Sequence, residues 1–141
     1  AVVADRVAEW SQRAGTQNWA RGETLEARLK HHMKIVMSWA ATEELRAFDR
    51  MLNSAPGDIT RELYLNMFNL TTDILAEEIK TFTQAEGKPA KDPRRAAFDL
   101  MMLVTGWFRY DMTFRITPDG EAVLAFADHA VDLVMAGRAD W

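Results

Sequence analysis

The chain has 141 residues, with 17 basic and 21 acidic side chains, a net charge of -4 and no Cys. A chain of this length buries about two thirds of its unfolded surface, so it can hold one hydrophobic core without disulfides or a structural metal. The lack of Cys excludes disulfide frameworks, thiolate metal sites and Cys nucleophiles, and it favours a reducing compartment, the cytoplasm. The acidic balance disfavours a free-standing nucleic-acid binder, because phosphate binding needs a clustered excess of Lys and Arg. No window approaches the roughly 18 consecutive apolar residues of a membrane span. We therefore expect residues 1–141 to form one soluble domain.

The first half of the chain shows apolar residues recurring every three or four positions, the period of a helix. This spacing predicts an opening helix over residues 2–15, and a polar connector follows over 16–22. A second helix is predicted over 25–40, with its basic residues and histidines on the surface. A third helix is predicted over 42–54, because Thr42 precedes two acidic residues that suit a helix N-terminus.

The second half shows the same period, divided by turn residues. The fourth predicted helix covers 59–86 and follows a turn at 55–58. Its two adjacent apolar stripes predict that it lies at the centre of a bundle, and its charged residues are expected on a solvated surface. Asp92 and Pro93 form a cap and a first-turn proline for the fifth helix, and Gly137 ends the sixth. No stretch alternates as a strand does. We therefore predict an all-α fold, a six-helix bundle with orthogonal packing.

Motifs of enzyme chemistry are not found in the chain. There is no Gly-x-Ser-x-Gly elbow, no Gly-rich phosphate loop, no His-Glu-x-x-His and no Glu-x-x-His pair. His31 and His32 are neighbours and point about 100° apart on a helix, which is poor geometry for sharing one metal, so we expect them on the surface. His129 lines a subunit interface or faces water. We expect no catalytic residues, no metal and no cofactor.

Methionines and aromatic residues are the remaining chemical signal. Flexible Met side chains and rigid rings suit an adaptable apolar cavity, although the same residues also suit a plain core. The candidate ligand-binding residues are Met33, Met37, Phe48, Tyr64, Met67, Phe68, Trp107 and Tyr110. Arg109 follows the densest apolar run; it either meets an acidic group of a ligand or of the chain, or marks where the helix reaches solvent.

The order of these features resembles the C-terminal effector-binding and dimerisation domain of the TetR (tetracycline-repressor-like) family of bacterial transcription regulators. Residues 1–10 look like the start of the helix that follows the DNA-binding domain in that family. The segment 46–52, followed by Ala55-Pro56 and a long helix, is similar to its middle section. Residues 92–107 resemble its first dimer-forming helix, and 130–137 resemble its ending.

The resemblance implies a homodimer in which the last two helices of each copy form a four-helix interface. The residues expected there are Leu100, Val104, Phe108, Val123, Phe126, Ala130 and Val134. It also implies a small apolar or aromatic effector in a cavity of each subunit. Effector binding would change the spacing of two DNA-binding heads. Those heads would be basic helix-turn-helix units preceding Ala1, so DNA would be a partner only through them.

Two other classes of function remain open at the level of sequence. One is a small helical enzyme or cofactor carrier, for which a bound chromophore or metal would be the sign. The other is a helical oligomerisation module without a ligand, which a solid core between the second, fourth and fifth predicted helices would favour.

Overall fold

The computed structural model describes residues 24–40, 42–54, 57–114 and 120–141. Their helices are α1 (Leu25–Ala40), α2 (Glu43–Ser54), α3 (Gly57–Ala85), α4 (Pro93–Phe114) and α5 (Gly120–Ala136), followed by a 3-10 turn, Arg138–Asp140. Because these ranges contain no strand, the all-α prediction is confirmed for them. The opening helix predicted over 2–15 and the connector after it lie outside the described residues, so the count of six helices stays a prediction. None of the helices described is both long and apolar enough to cross a bilayer.

Side-chain caps fix the starts of two helices. The Thr24 hydroxyl accepts a hydrogen bond from the backbone N–H of Ala27 at 3.1 Å, which satisfies a donor that the first turn of α1 leaves open. The Asp92 carboxylate accepts one from the backbone N–H of Arg95 at 3.0 Å, with Pro93 in the first helical position. The cap predicted at Asp92 is therefore confirmed.

The start of α3 differs from the sequence prediction by two residues. We predicted Ile59 as its first residue and residues 55–58 as a turn, but the helix begins at Gly57 and holds Asp58 in its first turn. An acidic side chain is stabilised there too, because it faces the partial positive charge of the helix N-terminus. Asp58 thus serves the same end of the helix from a position inside it.

A glycine ends α3. The backbone N–H of Gly87 bonds to the carbonyl of Gln84 at 3.1 Å, and that of Lys88 bonds to the carbonyl of Thr83 at 3.0 Å. This pair of bonds is a Schellman motif, which needs a left-handed residue, and Gly87 supplies it with φ at 74°. The chain thereby turns out of α3 toward the loop that precedes α4.

The core lies between two helix pairs. α1 packs most extensively on α5, α3 packs on α4, and α4 also contacts α5. In α1 the buried residues follow the four-residue spacing that places side chains on one face. The core is formed by Leu25, Leu29, Met33, Met37, Leu75, Ile79, Ala96, Ala97, Leu100, Met101, Val104, Val123, Ala127, Ala130, Val131 and Val134.

Ion pairs join α1 to α5 along one flank. Lys30 Nζ lies 2.9 Å from an Asp132 oxygen and 2.8 Å from a Glu26 oxygen, and Lys34 Nζ lies 3.2 Å from Asp128. Hydrogen bonds to Glu26 and Asp132 raise the pKa of Lys30. These pairs occupy the side of α5 that faces α1, so the charges of Asp128 and Asp132 are matched within the chain.

A second ion pair joins α1 to α3 and is more enclosed. Arg28 lies 2.8 Å from Glu78, and the two side chains are only 18% and 19% exposed. The Arg28 guanidinium also stands 4.5 Å from the ring centroid of Phe82, within range of a cation–π contact. The solvated surface predicted for Arg28 and Glu78 is therefore wrong: both lie at the seam between two packed helices. Leu70, in contrast, is exposed, so the two-sided burial expected of α3 is not seen there.

Candidate functional site

Four of the eight candidate ligand-binding residues belong to the hydrophobic core or pack against it. Met33 and Met37 of α1 are fully buried, and Phe68 of α3 and Trp107 of α4 are half-buried and packed against the same core. The ring of Phe68 meets that of Phe98 edge-on at 5.7 Å between centroids. The structure therefore places these methionines and aromatic rings in or against one core, to which α1, α3 and α4 all contribute.

The other four candidates are placed differently. The side chains of Phe48, Tyr64 and Met67 lie outside the described part of the chain. Tyr110 is 55% exposed, because it falls on the outer side of α4 and not among the buried methionines. Tyr110 therefore belongs to the surface of the chain.

Most residues expected in a dimer interface lie inside the chain. Leu100, Val104, Val123, Ala130 and Val134 are all buried by residues of the same subunit. Their spacing marks the apolar faces of α4 and α5 correctly, but these faces meet α1, α3 and each other. A contact with a second copy would have to use other residues of the same two helices.

Phe108 and Phe126, the remaining members of that set, are half-buried at the edge of the core. The ring of Phe126 stacks on Trp107, with 5.5 Å between centroids and 24° between planes, and holds α4 and α5 together. The ring of His129 meets that of Phe126 edge-on, with 6.4 Å between centroids. Phe126 thus sits where the core reaches the surface.

Two stripes without Asp, Glu, Lys or Arg, one on α4 and one on α5, are together called the outer face. It consists of Met102, Gly106 and Tyr110 on α4 and of Phe126, His129 and Leu133 on α5. The three α4 residues recur every four positions. On α5, His129 lies three positions and Leu133 seven positions after Phe126, so each set forms one stripe. The sequence analysis did not single out Met102 and Leu133. Each directly adjoins a core residue in sequence, but neighbours on a helix point to different sides, so both face away from the core.

The prediction that His32 lies on the surface is wrong. His32 is 1% exposed, whereas its neighbour His31 is exposed. The signal was present, because His32 lies three positions after Leu29 on the buried face of α1. The described residues hold no group of three or more metal-ligating side chains.

Arg109 is exposed, and the choice between its two interpretations stays a prediction. Asp99, one of the acidic partners considered for it, instead lies 3.1 Å from Arg95, one turn earlier in α4. Asp99, the single acidic residue in the first half of α4, therefore has its ion-pair partner within the same helix.

Comparison of the chain with protein-family models, with curated proteins and with solved structures finds no match.

Proposed function

We propose that this chain is the effector-binding and dimerisation domain of a cytoplasmic transcription regulator of the TetR-like type. In the proposal two copies join through α4 and α5, and each holds a small apolar or aromatic molecule next to α1. The DNA-binding head would belong to a segment preceding Ala1. The observation that carries the proposal is the outer face, an uncharged surface on the two helices that the sequence resemblance assigns to dimerisation.

The outer face suits a second copy of the same chain. Met102 is 49% exposed and Leu133 is 50% exposed, and His129 is the one ionisable group in the set apart from the Tyr110 hydroxyl. In a twofold contact the same patch meets itself, so a patch of one charge would repel its mate whereas an apolar patch attracts it. The acidic residues nearest to it on α5 are matched by lysines of α1 and do not enter it.

Gly106 stands in the middle of the α4 stripe and supports close packing. A Cβ at this position would meet nothing within 4 Å in the chain. The bare backbone leaves a shallow notch between Met102 and Tyr110, and the distance between packed helices depends on the side chains at their contact. A helix of a second copy could therefore approach closely at this point.

A negative charge introduced on the outer face tests the dimer. We expect Leu133→Glu to convert a dimer into a folded monomer in sedimentation equilibrium, because a carboxylate would be buried against its symmetry mate. Leu124→Glu is the matched control, since Leu124 is exposed on the same helix but outside the outer face. Glutamate at Val104, which is buried, would unfold the subunit and so tests nothing about assembly. A Leu133→Glu protein that stays dimeric, or a wild-type protein that is a monomer, would contradict the proposed interface.

Support for an effector site comes from the buried methionines. Met33 and Met37 belong to one core with Phe68 and Trp107, and Met can repack around an apolar guest at low cost. A planar ring held there would lie against α1 and between α3 and α4. The sequence offers no pair of acid and base in this region, so binding without chemistry is the role proposed.

Indole is a suitable probe for this site, because it is a small and largely apolar aromatic molecule. We expect saturable shifts of the methyl resonances of Met33 and Met37 in a spectrum of labelled methionines, assigned through Met33→Leu and Met37→Leu. The methyl group of Met51, which is exposed on α2, serves as the internal control. Shifts confined to exposed methionines would refute the site, and a dimer that fails this test would be an oligomerisation module without a ligand.

A further inference from the structure

A groove lies at the C-terminal end of α3, where the loop before α4 meets residues 138–141. Its volume is about 580 Å³. The loop contributes Lys88, Pro89 and Lys91, the end of the chain contributes Arg138 and Trp141, and none of these is a candidate ligand-binding residue of the core. The groove is thus separate from the site proposed above.

Hydrogen bonds fix both walls of the groove. The backbone N–H of Lys91 donates to the carbonyl of Trp141 at 2.7 Å, which ties the loop to the end of the chain. The Thr83 hydroxyl, buried in α3, accepts a hydrogen bond from the backbone N–H of Ala90 at 3.0 Å. The loop is therefore anchored on both sides, and its side chains are presented from a fixed backbone.

The groove carries positive charge although the chain as a whole is acidic. Arg138 forms an ion pair with Glu86, so these two charges offset each other. Within the described residues, the ammonium groups of Lys88 and Lys91 form no ion pair with a carboxylate of the chain. Two lysines thus give this groove a net positive charge on a protein of net charge -4.

An aromatic wall accompanies the lysines. Trp141 is half-buried. The guanidinium of Arg138 lies 6.0 Å from the centroid of its ring, at the outer limit of a cation–π contact. Pro89 and Ala90 add apolar surface nearby. Small-molecule sites commonly join such an apolar wall to a few polar groups that fix orientation.

We propose that this groove binds a small aromatic carboxylate. The ring lies against Trp141 and the carboxylate lies near Lys88 and Lys91. The two lysines select for the anion, and the indole and Pro89 select for a flat apolar body. This site is independent of the effector site in the core, so either can exist without the other.

Benzoate is the probe, and benzyl alcohol is its uncharged counterpart. The chain has five Trp, so the indole N–H resonance of Trp141 is first assigned by Trp141→Phe in a nitrogen-edited NMR spectrum. We expect benzoate to shift this resonance saturably and benzyl alcohol to bind at least several times more weakly. Equal binding of the two molecules would overturn the anion preference, and no shift of the Trp141 resonance at tens of millimolar benzoate would overturn the site.

Lysine variants test the charges. We expect Lys88→Gln and Lys91→Gln each to weaken benzoate binding about threefold to fivefold, as exposed ion pairs allow. Lys80→Gln is the matched control, because Lys80 is an exposed lysine of α3 outside the groove. All three side chains are on the surface, so the variants should keep the far-ultraviolet dichroism of the wild type. Unchanged affinity in the Lys88→Gln, Lys91→Gln double variant would overturn the proposal.

Discussion

Replacement of Leu100 by Ala tests whether this residue lies in the core of the subunit or at an interface between subunits. Leu100 is fully buried within the chain, at the centre of α4. Truncation of a leucine in a packed core removes transfer free energy and leaves a cavity, and together these cost about 2.7 to 5 kcal/mol of unfolding free energy. Leu133→Ala is the matched variant on the outer face, and it should cost the isolated subunit about 1 kcal/mol or less, because half of that side chain is already in water.

The assay is urea unfolding at two protein concentrations that differ tenfold. If Leu100 lies in the core, Leu100→Ala lowers the unfolding free energy by the same amount at both concentrations. If it lay between subunits, the loss would depend on concentration, since dimer formation adds about 1.4 kcal/mol for each tenfold increase. A loss below about 1 kcal/mol for Leu100→Ala, accompanied by dissociation of a dimer, would refute the placement of Leu100 and restore the interface that the sequence resemblance implies.

Two further predictions concern polar groups within the subunit, and both are measured by urea unfolding. Thr83→Val should lower the free energy of unfolding by about 1 to 3 kcal/mol, because the backbone N–H of Ala90 in the loop loses its acceptor, the Thr83 hydroxyl. Thr72→Val should cost less than about 1 kcal/mol, since the Thr72 hydroxyl only donates to a carbonyl of its own helix; equal losses would contradict this reasoning. Glu78→Gln should cost about 1 to 2 kcal/mol through its enclosed pair with Arg28, a value between those of exposed and buried pairs. Glu77→Gln, at an exposed neighbour, should change stability by less than about 0.5 kcal/mol, and an equal effect of the two variants would show that the pair at Glu78 adds nothing.

The ends of helices could be predicted from the sequence because their causes are local. The cap at Asp92 depends on the residue itself and on the N–H groups of the next turn. The end of α3 near Gly87 depends on one residue that adopts a positive φ without strain. Both are properties of a few consecutive residues, and the structure places both helix ends within one residue of the prediction.

The partners of each helix face could not be predicted in the same way. Periodicity shows that Leu100 and Val104 share a face, but it does not show whether that face meets the same chain or another copy. The burial of His32 was missed for a related reason: its residue type suggested the surface while its position, three residues after Leu29, indicated the core. For the candidate ligand site, the residue type of Met33 could be read from the sequence, but its burial in one core with residues of α3, α4 and α5 depends on how α1 packs on the other helices.

The position of α1 links the two parts of the proposed function. α1 is held to α5 and to α3 by ion pairs at its surface and by Met33 and Met37 at its core. Exposed pairs such as Lys30 with Asp132 are screened by solvent and contribute little, so they would permit a small shift of the helix. A ligand can shift α1 only if it binds one position of the helix more tightly than another, and in the proposal that difference comes from Met33 and Met37 on its buried face. α1 is also the described helix nearest in sequence to the segment proposed to carry the DNA-binding head, so in the proposed function a ligand-induced shift of α1 would reposition that head without requiring α4 and α5 to separate.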